Sequence, residues 1–249
     1  MKKQAVAIAT SAMLGVSAVA QALPGAMPRS DQSTGYHWHN EDLSQEDKNK
    51  LADYLDNWAQ QKFTPEQKAQ HKAAAAALVV ELKLACDVDE AVPAAHGPAT
   101  VNGRAVETST YEVACSNGLG YFLVSQAPEA PYGISCFTAE ATRQADAKAG
   151  RGDSAVCQMP QNADLNTTAS LVLSRSGVAC TVNGHKLIGQ NSKVHIEFME
   201  VTCVNGPGYI LVTALPGSIA PPGAMSCAQA AAKGLPCTMA ANAVAAAKP

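Results

Sequence analysis

His37-Trp38-His39-Asn40-Glu41-Asp42 is the densest group of metal-capable side chains in the sequence. Imidazoles beside carboxylates suit zinc or copper. The spacing argues against a site, however. Structural zinc takes four ligands in a fixed order, and residues i and i+2 of an extended segment project to opposite sides. The pattern favours a solvated arm, so no cofactor is expected, and His37 and His39 are the only candidate metal ligands in that arm. Glu112 and Glu200 recur at corresponding places in two similar segments. Two carboxylates can serve acid–base work, but the sequence does not bring these two together, and a surface or salt-bridged place is expected for each. Tyr121 and Tyr209 recur likewise, and are expected to pack beside a turn with the hydroxyl at the surface. His71, His96, His185 and His195 have no duplicates. The sequence spells no nucleophile elbow, no His-Glu-x-x-His helix and no phosphate loop. Arg151-Gly152-Asp153 reads as a loop.

The elements that must position these residues start from an ordinary apolar content. Of 249 residues, 47% are hydrophobic but only 5% aromatic, so the core must lean on Ala, Val and Leu. The formal charge of −3 argues against a nucleic-acid binder, in which a basic patch is expected. Residues 31–90 hold twelve acidic and six basic side chains, whereas residues 91–249 hold nine of each, so the acidity is confined to the front.

Lys2 and Lys3 lead an uncharged, mostly apolar run from Ala5 to Ala20, followed by Ala20-Gln21-Ala22. This is the form of a secretory signal cleaved after Ala22. The run is short for a membrane span, which needs ~20 apolar residues. Cleavage would leave no spanning segment and a formal charge of −5, that is −3 minus the two lysines. Export makes the even count of eight cysteines read as disulfides, in the periplasm or the medium.

Two helices are expected in the acidic front. Ser44-Gln45-Glu46-Asp47 resembles a capping box ahead of Leu51, Leu55 and Trp58, which share one helical face. Thr64-Pro65-Glu66-Gln67 opens the second helix, with Phe63 placed as a hydrophobic staple.

The remainder is a tandem repeat. Glu112-Val-Ala-Cys115-Ser-Asn117-Gly118-Leu-Gly120-Tyr121 matches Glu200-Val-Thr-Cys203-Val-Asn205-Gly206-Pro-Gly208-Tyr209 at seven of ten positions, 88 residues apart. Thr100-Val-Asn-Gly103 recurs as Thr181-Val-Asn-Gly184, and Ala85-Cys86 as Ala179-Cys180. Each unit carries four cysteines: 86, 115, 136 and 157, then 180, 203, 227 and 237. In the second unit, Leu171–Cys180 reads as a first strand and Val194–Cys203 as a second, with Val194, Ile196 and Phe198 on one face and His195, Glu197 and Met199 on the other. Asn205–Gly208 is a turn, Tyr209–Thr213 a third strand, Leu215–Met225 a Pro-rich loop, and Cys227–Gly234 a short helix. The first unit has a longer helix over Thr138–Ala149. If strand one ends at Cys180, that cysteine lies near the loop delivering Cys227, and Cys203 lies near Cys237. The expected pairs are therefore Cys86–Cys136, Cys115–Cys157, Cys180–Cys227 and Cys203–Cys237.

The motif Glu-Val-x-Cys-x-Asn-Gly-x-Gly-Tyr resembles one found in secreted alphaproteobacterial proteins of uncharacterised function. The resemblance covers the two motif copies and their trailing cysteines, implies no activity, and implies an envelope location with structural cysteines.

The expected fold class is α+β: a tandem repeat of two small disulfide-stapled units, each of about three antiparallel strands plus a short helix. The segments are a signal over 1–22, an arm with acidic helices over 23–76, units over 77–160 and 161–239, and an Ala-rich frayed tail over 240–249. The expected function is a non-enzymatic envelope protein whose loops or sheet edges meet a protein or glycan partner. One alternative is a secreted hydrolase with a site between the units, built from His185, His195 and Glu197. Another is a periplasmic metal or stress-related binder using the His37/His39 arm.

Overall fold

The computed structural model describes residues 63–242 apart from 152, 153 and 205. The signal segment, His37, His39 and the helix expected at Leu51–Trp58 lie outside the described residues.

Thr64 opens α1 (Pro65–Glu81). Its hydroxyl accepts from Gln67 N, and the Gln67 side chain accepts from Thr64 N, which closes a capping box. Phe63 stands just before the cap, and its ring meets His71 edge-on, with centroids 5.2 Å apart. Ala75, Leu78 and Val79 turn inward from α1 onto the first sheet. That sheet is a meander of β1 (Val88–Val101), β2 (Arg104–Cys115), β3 (Gly120–Gln126) and β4 (Glu129–Ser135), all antiparallel neighbours. Helices α2 (Cys136–Lys148) and α3 (Pro160–Ala163) follow.

The same order recurs in the second unit: α4 (Leu165–Arg175), then β5 (Val182–Asn191), β6 (Ile196–Cys203), β7 (Tyr209–Ala214) and β8 (Gly223–Ser226), then α5 (Cys227–Ala232). The fold is thus α+β in two like units, with four strands per sheet. The fourth strand of the second unit was hidden because only Gly223–Ser226, at the end of the Pro-rich loop, pairs with Tyr209–Val212.

Leu171–Cys180 is not a strand. Asp164 caps α4 by accepting from Asn166 N and Thr167 N. Leu165, Thr168, Ala169, Val172 and Leu173 are then buried at helical spacing. The first strand of the unit comes after Cys180. This reverses the geometry behind the expected disulfides. Each first cysteine now stands at the start of strand one, level with the end of strand two: Val88 pairs with Cys115, and Val182 with Cys203. The observed bonds are accordingly Cys86–Cys115, Cys136–Cys157, Cys180–Cys203 and Cys227–Cys237. The expected Cys86–Cys136, Cys115–Cys157, Cys180–Cys227 and Cys203–Cys237 pairings are overturned, although all eight cysteines are bonded.

The boundaries shift as well. Helix α1 runs through residue 77 and belongs to the first unit, and the second unit extends to Asn242, which is buried. β6 begins at Ile196 because His195 turns the chain with φ 51°.

One apolar cluster runs through both units, from Ala75 and Leu78 through Val113, Leu123 and Phe137 to Leu173, Met199 and Leu211. Tyr121 does not present its hydroxyl at the surface. It is fully buried, and its OH donates across the seam to Ala214 O at 2.9 Å. Two backbone bonds join the units beside it: Gly217 N donates to Leu82 O at 2.7 Å, and Ala85 N to Ser218 O at 3.1 Å. Among the described residues no helix is long and apolar enough to cross a membrane. Four disulfides fit a chain that folds outside the reducing cytoplasm.

Candidate functional site

The duplicated motif builds a corner in each unit. Glu112 stands in β2, three residues before Cys115, and points into the interior. Its Oε2 accepts from Gln158 N at 2.9 Å, and its Oε1 accepts from Met159 N and Asn162 Nδ2, both at 2.9 Å. Asn162 Nδ2 also donates to Val113 O at 3.0 Å. Glu200 repeats the arrangement. Its Oε2 accepts from Thr238 N at 2.8 Å and Thr238 Oγ1 at 3.0 Å. Its Oε1 accepts from Met239 N and Asn242 Nδ2, both at 2.8 Å, and Asn242 Nδ2 reaches Val201 O at 3.1 Å. Each glutamate therefore ties down the chain just after the last cysteine of its unit. Neither is exposed or salt-bridged, contrary to expectation.

The glycines of the motif make room for this corner. A Cβ at Gly120 would collide with the Asn162 carboxamide and lie 2.7 Å from Cys136 Sγ; one at Gly208 would collide with Asn242. The asparagine of the motif serves the turn: Asn117 Nδ2 donates to Ala85 O at 2.7 Å, and its Oδ1 accepts from Leu119 N at 3.0 Å.

The two carboxylates titrate in opposite directions. Burial pushes Glu112 up, and the donors at Gln158, Asn162 and Met159 only partly offset it. Burial acts on Glu200 in the same sense, but the donors at Thr238, Asn242 and Met239, with the extra Thr238 hydroxyl, outweigh it and hold the carboxyl low. Glu112 lies with Cys136 and Cys157, and Glu200 with Cys227 and Cys237, with ligand atoms within 4.8 Å. Both sulfur pairs are oxidised, so neither set offers the thiolates a metal would need. The corners are devices of folding.

Chemistry between the units is a separate matter. Glu197 is fully buried at the seam. It accepts from Ser135 Oγ at 2.7 Å, Thr138 Oγ1 at 2.8 Å and Thr213 Oγ1 at 2.9 Å. Ser135 is the N-cap of α2 and accepts from Thr138 N at 3.0 Å, so the carboxylate sits at the positive end of that helix. Gln190 Nε2 donates to Thr138 Oγ1 at 2.8 Å. Burial raises the Glu197 pKa against these hydroxyls. Burial pushes the Tyr121 hydroxyl well above its ordinary value, and the Glu197 charge adds to that. Glu197 has no duplicate: its counterpart 88 residues earlier is Ser109.

The three residues of the hydrolase alternative do not converge. His185 pairs across the ladder with Val201 and Glu197 with Gln190, near opposite ends of β5. His195 stands in the β5–β6 turn, where its ring packs against Gly217 so closely that a Cβ there would lie 2.8 Å away. His185 Nδ1 instead meets Asn166 Oδ1 at 2.8 Å. Its ring lies 6.4 Å from that of Phe137, and burial lowers its pKa while the Glu140 and Asp164 charges pull the other way. His71 lies between Phe63 and Tyr111. His96 is exposed beside Ser109 and Glu107, at 3.0 and 3.3 Å.

Asn162 and Asn242 escaped the sequence reading. Their signal was present as Cys157-Gln-Met159-Pro-Gln-Asn162 and Cys237-Thr-Met239-Ala-Ala-Asn242, one Cys-x-Met-x-x-Asn pattern in two copies. Compared with known proteins, the chain matches no family model, no curated protein and no solved structure.

Proposed function

We propose that this is a secreted or periplasmic, non-enzymatic envelope protein that binds a protein or glycan partner through its first unit. The duplicated residues are occupied with the fold, so a function particular to this chain falls to what the units do not share. The observation that carries the reading is the β1–β2 ribbon. β1 has 14 residues and β2 has 12, against 10 and 8 in β5 and β6. β3 pairs with β2 only from Ser109 onward, so Arg104–Glu107 has β1 on one side and no strand on the other. The tip is steadied by Glu129, which meets Asn102 Nδ2 at 3.4 Å and Arg104 at 4.0 Å. Pro93 and Pro98 remove ladder donors from edge strand β1, which disfavours indiscriminate strand addition. Recognition would then use side chains on the ribbon.

The test places a photoreactive amino acid at His96 or Glu107 in cells of the source organism, with Lys193 of the second unit as control. The reading expects one discrete envelope adduct from the ribbon positions and none from Lys193. It also expects no turnover on peptide, ester or glycan substrates. Equal labelling at all three positions, or turnover lost on His195→Ala, would overturn it.

A further inference from the structure

A bulge brings three polar side chains together on the β1–β2 ribbon. The ladder shifts by one residue at Ala94, between the pairs Pro93–Tyr111 and Ala95–Thr110. Without the shift His96 would face Thr108; with it, His96 stands opposite Ser109. Glu107 lies two residues before Ser109 on β2 and so shares its face. On the other face Thr108 Oγ1 donates to Gly97 O at 2.8 Å, which ties the two strands at this level. His96 Nδ1 lies 3.0 Å from Ser109 Oγ, and His96 Nε2 lies 3.3 Å from Glu107 Oε1. A carboxylate only accepts, so Nε2 carries the proton of the neutral ring, and Nδ1 turns its lone pair toward the serine hydroxyl. A hydroxyl nucleophile is thus in reach of a base that a third group orients. The second unit has the same bulge, at Ile188, but its ladder pairs Gln190 with Glu197 at this level. The constellation is therefore not part of what the two units share.

We infer that Ser109 is an activated nucleophile that accepts an acyl group from activated esters. Ser109 Oγ attacks the acyl carbon while its proton moves to His96 Nδ1. The new O–C bond displaces the leaving oxygen, which departs with the electron pair of the broken bond, and His96 returns the proton to solvent. Glu107 touches no reacting atom and is a positioning residue. His96 and Glu107 are exposed, so a donor reaches the site without any opening of the fold. A serine alkoxide leaves far less readily than an aryl oxide, so the acyl group stays in place. The event is one modification per chain and not turnover. It needs no docked partner, so it stands or falls independently of the recognition proposed for the ribbon.

The test incubates the purified, oxidised protein with p-nitrophenyl acetate and locates the acetyl groups by peptide mass spectrometry. The inference expects a single acetyl group on Ser109, formed at least ~100-fold faster than on any other serine. His96→Ala should remove that advantage, and added imidazole should restore it, because the vacated place is open to solvent. Glu107→Gln should slow acetylation about threefold where His96 is present, the scale of an exposed ion pair. It should leave the imidazole-rescued rate of His96→Ala unchanged. No acetyl group on Ser109, the same rate with and without His96, or no rescue by imidazole would overturn the inference. So would a Glu107→Gln effect that is the same in both backgrounds.

Discussion

Glu112→Gln and Glu197→Gln make the same chemical change at two buried carboxylates, yet the structure predicts very different costs. At Glu112 the partners are Gln158 N, Met159 N and Asn162 Nδ2. The two backbone N–H groups are donors only, and Asn162 Nδ2 is held in place by its second bond, to Val113 O. A glutamine can keep its oxygen toward Met159 and Asn162, but its amide then points two hydrogens at Gln158 N. One charge-assisted bond is lost, one donor is orphaned, and two bonds weaken. Hydrogen bonds to charged groups contribute roughly 1.5–3 kcal/mol and a buried orphan costs roughly 1–3. Removing a buried charge recovers part of that, which leaves about 3 kcal/mol. At Glu197 the partners are the hydroxyls of Ser135, Thr138 and Thr213. A hydroxyl can rotate to accept instead of donate, so the amide is accommodated for about 1 kcal/mol or less. A body of this size loses roughly 2–4 °C in Tm per kcal/mol. Calorimetry at pH 7 should therefore show Glu112→Gln melting roughly 6–12 °C below the parent and Glu197→Gln within about 4 °C of it. Equal losses, or the larger loss at Glu197, would refute the distinction between fixed and rotatable donors.

Other outcomes follow from the same contacts. Glu200 titrates below the usual glutamate value of 4.5 in the fold. It stabilises above that value and loses the effect as pH falls through its folded pKa, so the Tm deficit of Glu200→Gln should shrink in acid. Glu197 titrates above 4.5. Its contribution declines as pH rises from 4.5 through the folded pKa, so Glu197→Gln should gain on the parent over that rise in a Tm-against-pH series. Gly208→Ala should displace Asn242 and lower Tm by an amount close to that of Asn242→Ala, and the double variant should be less than additive. Replacing Cys86 and Cys115 by serine opens a loop of 29 residues and should cost about 3.6 kcal/mol in denaturant unfolding. The 10-residue Cys227–Cys237 loop should cost about 2.7.

Much of this architecture was legible because duplication leaves a pattern that local physics does not blur. The cysteine strands, the Asn117-Gly118 turn, the Thr64 cap and the α+β class all follow from residue types and spacing. Helix α4 was missed because a short apolar run such as Leu171-Val172-Leu173 does not by itself distinguish a strand from a buried helix. The helix shows only in the burial pattern, in which Thr168 follows Leu165 by three, Val172 follows Thr168 by four and Leu173 follows Ala169 by four, while Leu171 is left exposed. That one error moved Cys180 from the end of a strand to the start of the next and so exchanged every disulfide partner. The burial of Glu112 and Glu200 was not legible from their neighbours, because their donors lie 46 and 38 residues further on. Glu197 was placed correctly on the face it shares with Met199, but that face proved to be the buried one. Two of its three partners, Ser135 and Thr138, come from the other unit, which no local pattern in β6 specifies.

The account rests most heavily on two like units, each clamped by two bonds between successive cysteines. Disulfide mapping of the unreduced protein tests this directly. Trypsin alone leaves Cys115 with Cys136, and Cys203 with Cys227, on shared peptides, since no Lys or Arg separates either pair. Added cleavage after Tyr121 and Tyr209 divides both. The peptides should then be joined as Cys86–Cys115, Cys136–Cys157, Cys180–Cys203 and Cys227–Cys237. A Cys86–Cys136 or Cys180–Cys227 linkage, or free thiols, would contradict the account.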